Sequence, residues 1–348
     1  MSFSLYITLL QIIRKGYNMN DSQLTQFDCT VIVTCFNSAK TIAKTLESVL
    51  NQHLSPSKLI VVDDCSTDNS REVISKFPCQ IYKTPENLGC GAAKLFGSSK
   101  VNTEFIVFLD SDDTWDADFL ELQAKYWVNS EKNLAAIGFA LRIGPGRYRR
   151  SYVSNQQKNT FKERKVELTD LRFRNPFTSS ATVYRNDALN VIGGYSSDSP
   201  VDDFETIVRL SIAEFDLLAV PIQCGEYGIS ATQISSNPAY QLQGQLRVLE
   251  LVVKAHAYPV TRGKIQSYKR ILLLRSVAKC ANFRMSSKEL PKCSVIGDAG
   301  TPFGTLYNFI ENPIIWCSIS KVWRFFGVLK SQYFKLRIPV ISKPKRLT

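Results

Sequence analysis

Short apolar runs rich in β-branched residues alternate with helix-like segments along the first third of the chain. The runs at 29–37 (CTVIVTCFN) and 57–70 (SKLIVVDDCSTDNS) each begin as a buried strand and end in polar residues. Between them, SAKTIAKTLESVLNQ carries apolar residues at helical spacing, and Ser38 is placed to cap that helix. QIYKT and EFIVFLD supply two further strands. This alternation with short connections predicts an α/β fold with a mainly parallel sheet flanked by helices.

The polar residues that follow these strands are expected to lie at one edge of the sheet. In open parallel sheets, ligands bind beyond the carboxyl ends of the strands, near the point where the strand order reverses. Thr34 and Phe36 close the first strand, Asp64 follows the second, and Asp110 ends the strand FIVFLD. We therefore expect these side chains to form one site.

Three carboxylates fall within four residues at the end of the most apolar strand, in FIVFLDSDDTW (105–115). A solvated turn that caps the next helix needs only one acid, and Asp112 or Asp113 could supply it. The other interpretation is a divalent cation, because Mg²⁺ and Mn²⁺ take hard oxygen ligands and relieve the repulsion among the acids. These residues alone leave both interpretations open.

Several common enzyme classes lack their characteristic residues in this sequence. Gly89 and Gly91 fit the first two positions of a dinucleotide fingerprint, but Lys94 occupies the third and no strand directly precedes them. No GxxxxGK[ST] phosphate loop is present, and 2 histidines leave little material for a histidine-rich metal site or a Ser/His/Asp triad. The 9 cysteines show no CxxC spacing and indicate free thiols in a reducing compartment.

The last third of the chain is strongly basic. Residues 241–348 hold 19 Lys and Arg against 4 Asp and Glu, whereas the preceding residues are slightly acidic. We therefore expect a separate basic, mainly helical region over 236–348. It contains no zinc spacing, helix-turn-helix or RNA-recognition signature, so we expect no nucleic-acid partner.

Both ends of the chain bear on membrane attachment. An apolar stripe with basic flanks runs through 315–336, and such a helix either packs on the catalytic domain or lies in an anionic membrane interface. We expect the second, with the protein peripheral on the cytoplasmic face. The N-terminal extension, 1–28, has its positive charges after a short apolar run, so it is expected to be an amphipathic helix or a segment upstream of a start at Met19 rather than a secretory signal. No apolar run reaches the roughly 18–20 residues of a membrane span.

Six segments occur along the chain in a fixed order: VIVTCFN, SVLNQ, LIVVDDCSTDNS, ENLGCGAAK, FIVFLDSDD and VDDFETIVRL. Their order and spacing resemble those of the family 2 glycosyltransferases over residues 29–235. DDCSTDNS and FLDSDD with NLG between them form the specific part of the pattern. The resemblance implies the GT-A fold and an inverting transfer from a nucleotide sugar, usually a UDP-sugar.

The resemblance also assigns roles to residues at matching positions. Phe36 would face the uracil ring and Asp64 would accept a hydrogen bond from the base N3–H, while Asp110 would hold the ribose hydroxyls. Asp112 and Asp113 would bring in a divalent ion, Mn²⁺ or Mg²⁺, that bridges the diphosphate. The predicted nucleotide site comprises Thr34, Phe36, Asn37, Asp64, Lys94 and Asp110. Within it, Lys94 stands where many members carry an arginine, and it would supply a point charge to the phosphates instead of a bidentate fork.

The segment IGGYSSDSPVDDFETIVRL shows the family's pattern of a Gly-Gly turn, a loop and two acids. A sugar hydroxyl is a poor nucleophile at neutral pH, so a carboxylate must take its proton. Asp203 aligns with this general base, and Asp202 is the second candidate. The structural alternative is a helix N-terminus stabilised by acids. Residues 175–189 would frame the acceptor side, with Ser179 and Ser180 as contacts.

The function implied by the resemblance is that of a hexosyl- or N-acetylhexosaminyl-transferase. It would move a sugar to a saccharide or lipid-linked acceptor, in cell-surface polysaccharide synthesis. One alternative is a protein of the same fold that binds nucleotide sugars without catalysis. Another is a sugar nucleotidyltransferase, but that class normally has a Gly-rich, Arg-bearing loop after its first strand, and TCFNSAKT lacks it.

Overall fold

The structure is a computed structural model that describes residues 26–128, 130–143, 147–148, 163–171, 175–228 and 238–255. Backbone contacts divide the chain into two compact units, residues 1–198 with 202–230 and residues 199–201 with 231–348. The predicted N-terminal helix and the stripe at 315–336 lie outside the described residues.

Ten strands form a single sheet within the described part of the chain. In chain order they are β1 (Gln26–Cys35), β2 (Ser55–Asp63), β3 (Gln80–Lys83), β4 (Phe105–Asp110), β5 (Thr114–Trp115), β6 (Leu134–Ile143), β7 (Arg147–Tyr148), β8 (Arg164–Lys165), β9 (Thr182–Arg185) and β10 (Asp216–Glu226). The order across the sheet is β3-β2-β1-β4-β9-β6-β10-β5, with β7 paired to β6 and β8 paired to β10.

The first four strands pair in parallel, as expected from the sequence. β1 lies between β2 and β4 and runs parallel to both, with Thr34 opposite Asp110 and Cys35 opposite Asp63. This register brings the polar ends of the three strands to the same edge. The rest of the sheet is mixed, because β9 is inserted antiparallel between β4 and β6. The α/β class is confirmed, whereas parallel pairing dominates only in the first half.

Helices connect the strands, and the central strands β1, β2 and β4 contain fully buried side chains. The helices are α1 (Ile42–Leu50), α2 (Ser70–Ile74), α3 (Cys90–Ser98), α4 (Phe119–Val128), α5 (Leu168–Leu171), α6 (Asn186–Val191), α7 (Asp202–Ile212) and α8 (Pro238–Lys254), with a 3₁₀ turn at Ser179–Ala181. Side chains such as Val31, Val61 and Val107 have no solvent exposure. Such burial stabilises the sheet by about 25 cal/mol for each Å² of apolar surface removed from water. Helix α8 lies at the start of the predicted basic region. No helix of the described residues is long and apolar enough to cross a membrane.

The start of α1 differs from the sequence prediction. The helix begins at Ile42, and its flanking residue Thr41 makes no side-chain capping bond. Ser38 contributes its carbonyl, which accepts hydrogen bonds from the amides of Thr41 and Ile42. The Ser38 hydroxyl instead contacts the hydroxyl of Ser111 at 2.7 Å, in the loop after β4. The prediction of a serine side-chain cap is therefore wrong, and Ser38 joins two loops of the site.

Candidate active site

The acid cluster after β4 is divided between the surface and the interior. Asp110 and Asp112 are partly exposed, whereas Asp113 is buried. The Asp113 carboxylate accepts a hydrogen bond from the amide of Gly228 at 2.7 Å, and its own amide donates to the Asp110 carbonyl at 3.0 Å. Asp113 thus ties the loop after β4 to the chain that follows β10.

The environment of Asp113 suits a divalent cation. Its Oδ2 atom is buried and has no hydrogen-bonding partner among the described residues. Burial, and then the charge of Asp110, raise the pKa of the Asp113 carboxyl to about 8. A bound cation would relieve both effects, because Mg²⁺ and Mn²⁺ favour carboxylate oxygens. The described residues contain no group of three or more His, Cys, Asp or Glu side chains arranged around one ion. Asp112 and Asp113 would therefore share the ion with substrate phosphates and water.

Asp64 lies in the loop after β2 and is held by three hydrogen bonds. Its Oδ1 accepts from the Thr84 hydroxyl at 2.8 Å and the Leu88 amide at 2.9 Å, while Oδ2 accepts from the Gly89 amide at 2.8 Å. Gly89 has a φ of 85°, a conformation that glycine adopts without steric cost. A carboxylate offers about four acceptor positions, so these three bonds leave capacity for the predicted base N3–H.

The end of β1 presents an aromatic face next to a rigid loop. Phe36 is 48% exposed, so its ring is accessible for the predicted contact to a base. Asn37 adopts a positive φ of 51°, and its side-chain oxygen accepts from the amides of Thr67 and Asp68. The Asn37 oxygen therefore fixes the loop after β2. Thr34 is buried beside this loop, with its hydroxyl 4.0 Å from the Cys90 sulfur.

Lys94 does not present its ammonium group to the surface. The side chain is 2% exposed, and Nζ lies 3.1 Å from Asp110 and 3.5 Å from Asp202. It also donates a hydrogen bond to the Ser179 hydroxyl at 3.0 Å. The contact of Lys94 with the phosphates stays a prediction, and in this structure the ammonium is enclosed by partners from three other segments. Sequence reasoning missed this ion-pair arrangement.

Asp202 and Asp203 open helix α7 and face different partners. Burial raises the pKa of the Asp202 carboxyl to about 6, although the Lys94 charge acts to lower it. Asp203 instead accepts a hydrogen bond from the side-chain amide of Asn175 at 2.8 Å. Asn175 in turn accepts from the Phe177 amide at 3.0 Å, so its orientation is fixed locally. The sequence analysis did not identify Asn175 as a functional residue. The one available indication was that Asn175 precedes a proline within the segment predicted to frame the acceptor side.

The two serines of the 3₁₀ turn have unequal access. The Ser179 hydroxyl contacts Lys94 and lies 3.5 Å from the Tyr195 hydroxyl. Ser180 is buried; its hydroxyl accepts from the Asp110 amide at 3.1 Å and its carbonyl from the Trp115 indole at 2.6 Å. The Ser180 hydroxyl is thus buried against the end of β4, and its predicted acceptor contact stays a prediction. The role of Ser179 stays a prediction.

The Gly-Gly turn before α7 is held by the arginine of that helix. Gly193 and Gly194 have φ values of 78° and 87°, which favour glycine. Arg209 donates to the Gly194 carbonyl at 3.2 Å and also to the Ile192 carbonyl. Arg209 therefore has a structural role, because it fixes the start of the loop that leads to Asp202 and Asp203.

Residues 30–193 match the model of the glycosyl transferase family 2. The match covers just under half of the chain, and over these residues the chain is similar to that family. The curated relatives include TuaG of Bacillus subtilis, which carries the name of a teichuronic acid biosynthesis glycosyltransferase, at 30% identity over 34% of this chain and 48% of TuaG. They also include WfgD of Escherichia coli, a UDP-Glc:alpha-D-GlcNAc-diphosphoundecaprenol beta-1,3-glucosyltransferase, at 35% identity over 27% of this chain and 38% of WfgD. The chain spans only 48%, 16% and 64% of the lengths of the first three relatives.

Solved structures with the same fold confirm the predicted GT-A architecture of this chain. Residues 1–349 of S. aureus TarS, solved in complex with UDP-GlcNAc, align with a TM-score of 0.55 at 16% identity, over 86% of this chain and 92% of TarS 1–349. The mannosyltransferase PcManGT from Pyrobaculum calidifontis, solved with GDP-Man and Mn²⁺, aligns with a TM-score of 0.56 at 15% identity, over 92% of this chain and 94% of PcManGT. At these low sequence identities, the similarity to the two structures supports the fold alone.

Proposed function

We propose that this chain is an inverting glycosyltransferase that moves a sugar from a UDP-sugar to a hydroxyl of a saccharide or lipid-linked acceptor. The observation that carries the proposal is the meeting of two acid groups from distant segments at one edge of the sheet. Asp110 of the donor side and Asp202 of the base helix both lie within 3.5 Å of the same Lys94 ammonium. This juxtaposition supports a donor and a general base acting at one centre.

The donor nucleotide would be recognised by the ends of β1, β2 and β4. The exposed ring of Phe36 offers a face for stacking of the base, a contact worth about 1–3 kcal/mol in other nucleotide sites. Asp64 retains acceptor capacity for the base N3–H, and the partly exposed Asp110 lies opposite Thr34 in the register of the sheet. Thr34 and Asn37 would support this pocket through the loops that they fix.

A divalent ion would be held by Asp112 and Asp113. When bound, the ion would offset the negative charge that develops on the leaving diphosphate. The buried Oδ2 of Asp113, without a hydrogen-bonding partner among the described residues, supports this assignment. The protein's own contribution is to hold the two carboxylates in place through the Gly228 amide and the end of β4.

Asp203 is the residue that we assign as the general base. The acceptor oxygen would form its bond to the anomeric carbon of the sugar as the bond from that carbon to the diphosphate oxygen breaks, and the hydroxyl proton would pass to Asp203. The products are the glycosylated acceptor and UDP, with inversion at the anomeric carbon. Asn175 holds the Asp203 carboxylate by one oxygen. Asp202 is a poorer candidate because its carboxylate faces Lys94.

The acceptor class rests on the relatives and on the charge of the chain. The name of WfgD includes a diphosphoundecaprenol-linked acceptor, and that of TuaG includes teichuronic acid biosynthesis. Residues 241–348, with 19 basic against 4 acidic side chains, would attract the chain to an anionic membrane surface. We therefore place the protein at the cytoplasmic face of the membrane, in polysaccharide synthesis.

The test is a screen of nucleotide sugars by thermal shift and by release of nucleoside diphosphate, with Mn²⁺, with Mg²⁺ and with EDTA. A ligand that binds the folded state raises its melting temperature. We expect UDP-sugars to shift the transition and to be turned over, with both effects reduced by EDTA and by Asp112→Asn. The matched control is Asp187→Asn, an acid in the first turn of α6, which should behave as wild type.

Other outcomes of the screen would contradict the proposal. Binding of a nucleotide sugar without turnover under any acceptor condition would indicate an inactive binding protein. Release of pyrophosphate from a nucleoside triphosphate and a sugar phosphate would indicate a nucleotidyltransferase.

A further inference from the structure

Lys94 is a buried cation held between carboxylates from two different elements. It lies on α3, Asp110 ends β4, and Asp202 begins α7. The ammonium also lies 5.4 Å from the centre of the Tyr195 ring, and it donates to Ser179. A lysine in an apolar interior without partners would lose its proton, so this burial requires the acids.

The two acids depend on Lys94 in return. Asp110 Oδ1 and Asp202 Oδ2 are buried and make no hydrogen bond within the described residues, although both lie within 3.5 Å of the ammonium. Burial tends to lower the pKa of Lys94, but Asp110 and Asp202 outweigh it and hold that pKa well above its ordinary value. The three groups therefore form one linked unit of one cation and two carboxylates, in which removal of Lys94 leaves two buried carboxylate oxygens without a partner.

A second contact from the same helix face fixes this unit. Gly91 lies three residues before Lys94, so both residues face the same side of α3. A Cβ at Gly91 would lie 2.5 Å from the Ser196 carbonyl oxygen and 3.1 Å from the Asp202 Cβ. The first turn of α3 is therefore packed directly against the loop that leads into α7.

We propose that Lys94 is a positioning residue that links the donor side of the site to the general base. This inference rests on the proposed function. Lys94 holds the Asp202 carboxylate at the start of α7, and Asp203 follows in the same turn. The same ammonium also contacts Asp110, the predicted ribose-binding residue. One buried side chain therefore sets the distance between the ribose site and the general base. The role differs from a contact with the diphosphate, because the ammonium is enclosed by Asp110, Asp202 and Ser179.

The test compares binding with turnover in Lys94→Met, Lys94→Arg and Asp202→Asn, and in the double variant Lys94→Met/Asp202→Asn. We expect kcat of Lys94→Met to fall by about 100-fold, the loss typical of a displacement near 1 Å at a reacting centre, with the KM for the donor changed by less than about threefold. The affinities for UDP and for uridine should change by the same factor, since neither loses a direct contact. Lys94→Arg keeps the charge and should recover part of kcat. The matched control is Lys100→Met, an exposed lysine two residues beyond α3.

The double variant separates positioning from loss of folding. It removes both a positive and a negative charge, so it remains informative if Lys94→Met alone does not fold. If Lys94 acts through Asp202, adding Lys94→Met to Asp202→Asn should lower kcat by less than about threefold, because the link is already broken.

The inference and the proposed function fail in different ways. A wild-type protein that binds UDP but releases none from any UDP-sugar refutes the proposed function and the inference with it. A wild-type protein that turns over normally, with an unchanged kcat in Lys94→Met, refutes the role of Lys94 alone. A selective loss of UDP affinity by tenfold or more, with uridine affinity unchanged, would show that Lys94 contacts the phosphates.

Discussion

Gly91→Ala is predicted to damage the active site with little loss of folding stability. The added methyl carbon would lie 2.5 Å from the Ser196 carbonyl oxygen, whereas ordinary contacts begin at 3.4 Å. About 0.9 Å of separation must therefore open between α3 and the loop before α7. The neighbour is backbone, so it cannot rotate away as a side-chain end would. Asp202 follows that loop directly and would move with it.

For Gly91→Ala, the expected change in stability is the sum of two opposing effects, and the expected change in turnover follows from the displacement. Overpacking costs about 1–3 kcal/mol, and replacing glycine by alanine in a helix returns about 1 kcal/mol. The net loss is about 0–2 kcal/mol, or a decrease in Tm of up to about 8 °C for a domain of this size. A shift near 1 Å at the base lowers turnover by about 100-fold.

The same helix provides the control. Gly97→Ala would place its methyl carbon 2.7 Å from Ile32 Cγ2 and 3.0 Å from Val62 Cγ2, so it is overpacked against the sheet and not against the site. We expect a comparable decrease in Tm for the two variants by calorimetry. Only Gly91→Ala should lose UDP release from a UDP-sugar, while Gly97→Ala should stay within about threefold of wild type. Equal turnover in the two variants would refute the idea that α3 sets the position of the base.

Three further variants test separate parts of the site. Asn175→Ala should lower kcat about tenfold at unchanged UDP affinity, because Asp203 loses the 2.8 Å bond that orients it, and steady-state kinetics would show this. Phe36→Ala should weaken UDP binding by about 1–3 kcal/mol in calorimetry without changing Tm, since the ring is exposed, and Phe36→Tyr should bind as wild type. Asp64→Asn should lower the free energy of unfolding by about 1.5–3 kcal/mol, because an amide cannot accept from both Leu88 and Gly89 through two oxygens, and chemical denaturation measures this loss.

The strands and their polar ends could be predicted because their signals are local. The runs around Val31, Val61 and Val107 are apolar on both faces, and a buried parallel strand requires that pattern. Once those strands pair in parallel, the acids that follow them must share an edge. The positions of Asp64 and Asp110 therefore followed from short stretches of sequence.

The partners of Lys94 could not be predicted in the same way. Its contacts with Asp110, Ser179 and Asp202 depend on how α3, the 3₁₀ turn and α7 pack together, and more than 80 residues separate Lys94 from the last two. From sequence alone a lysine is predicted to be exposed, because burial of an unpaired ammonium is costly. The antiparallel insertion of β9 has a similar cause. The 3₁₀ turn that leads into β9 is buried with it, so Ser180 is buried although it is polar.

The most direct test of the assignment of Asp203 as general base is the initial rate of UDP release from a UDP-sugar, measured for wild type and for Asp203→Asn at saturating donor. The account predicts a decrease in kcat of at least about 100-fold, because an amide cannot take the proton of the acceptor hydroxyl, with the Kd for UDP unchanged within about threefold. Turnover by Asp203→Asn at the wild-type rate would contradict it.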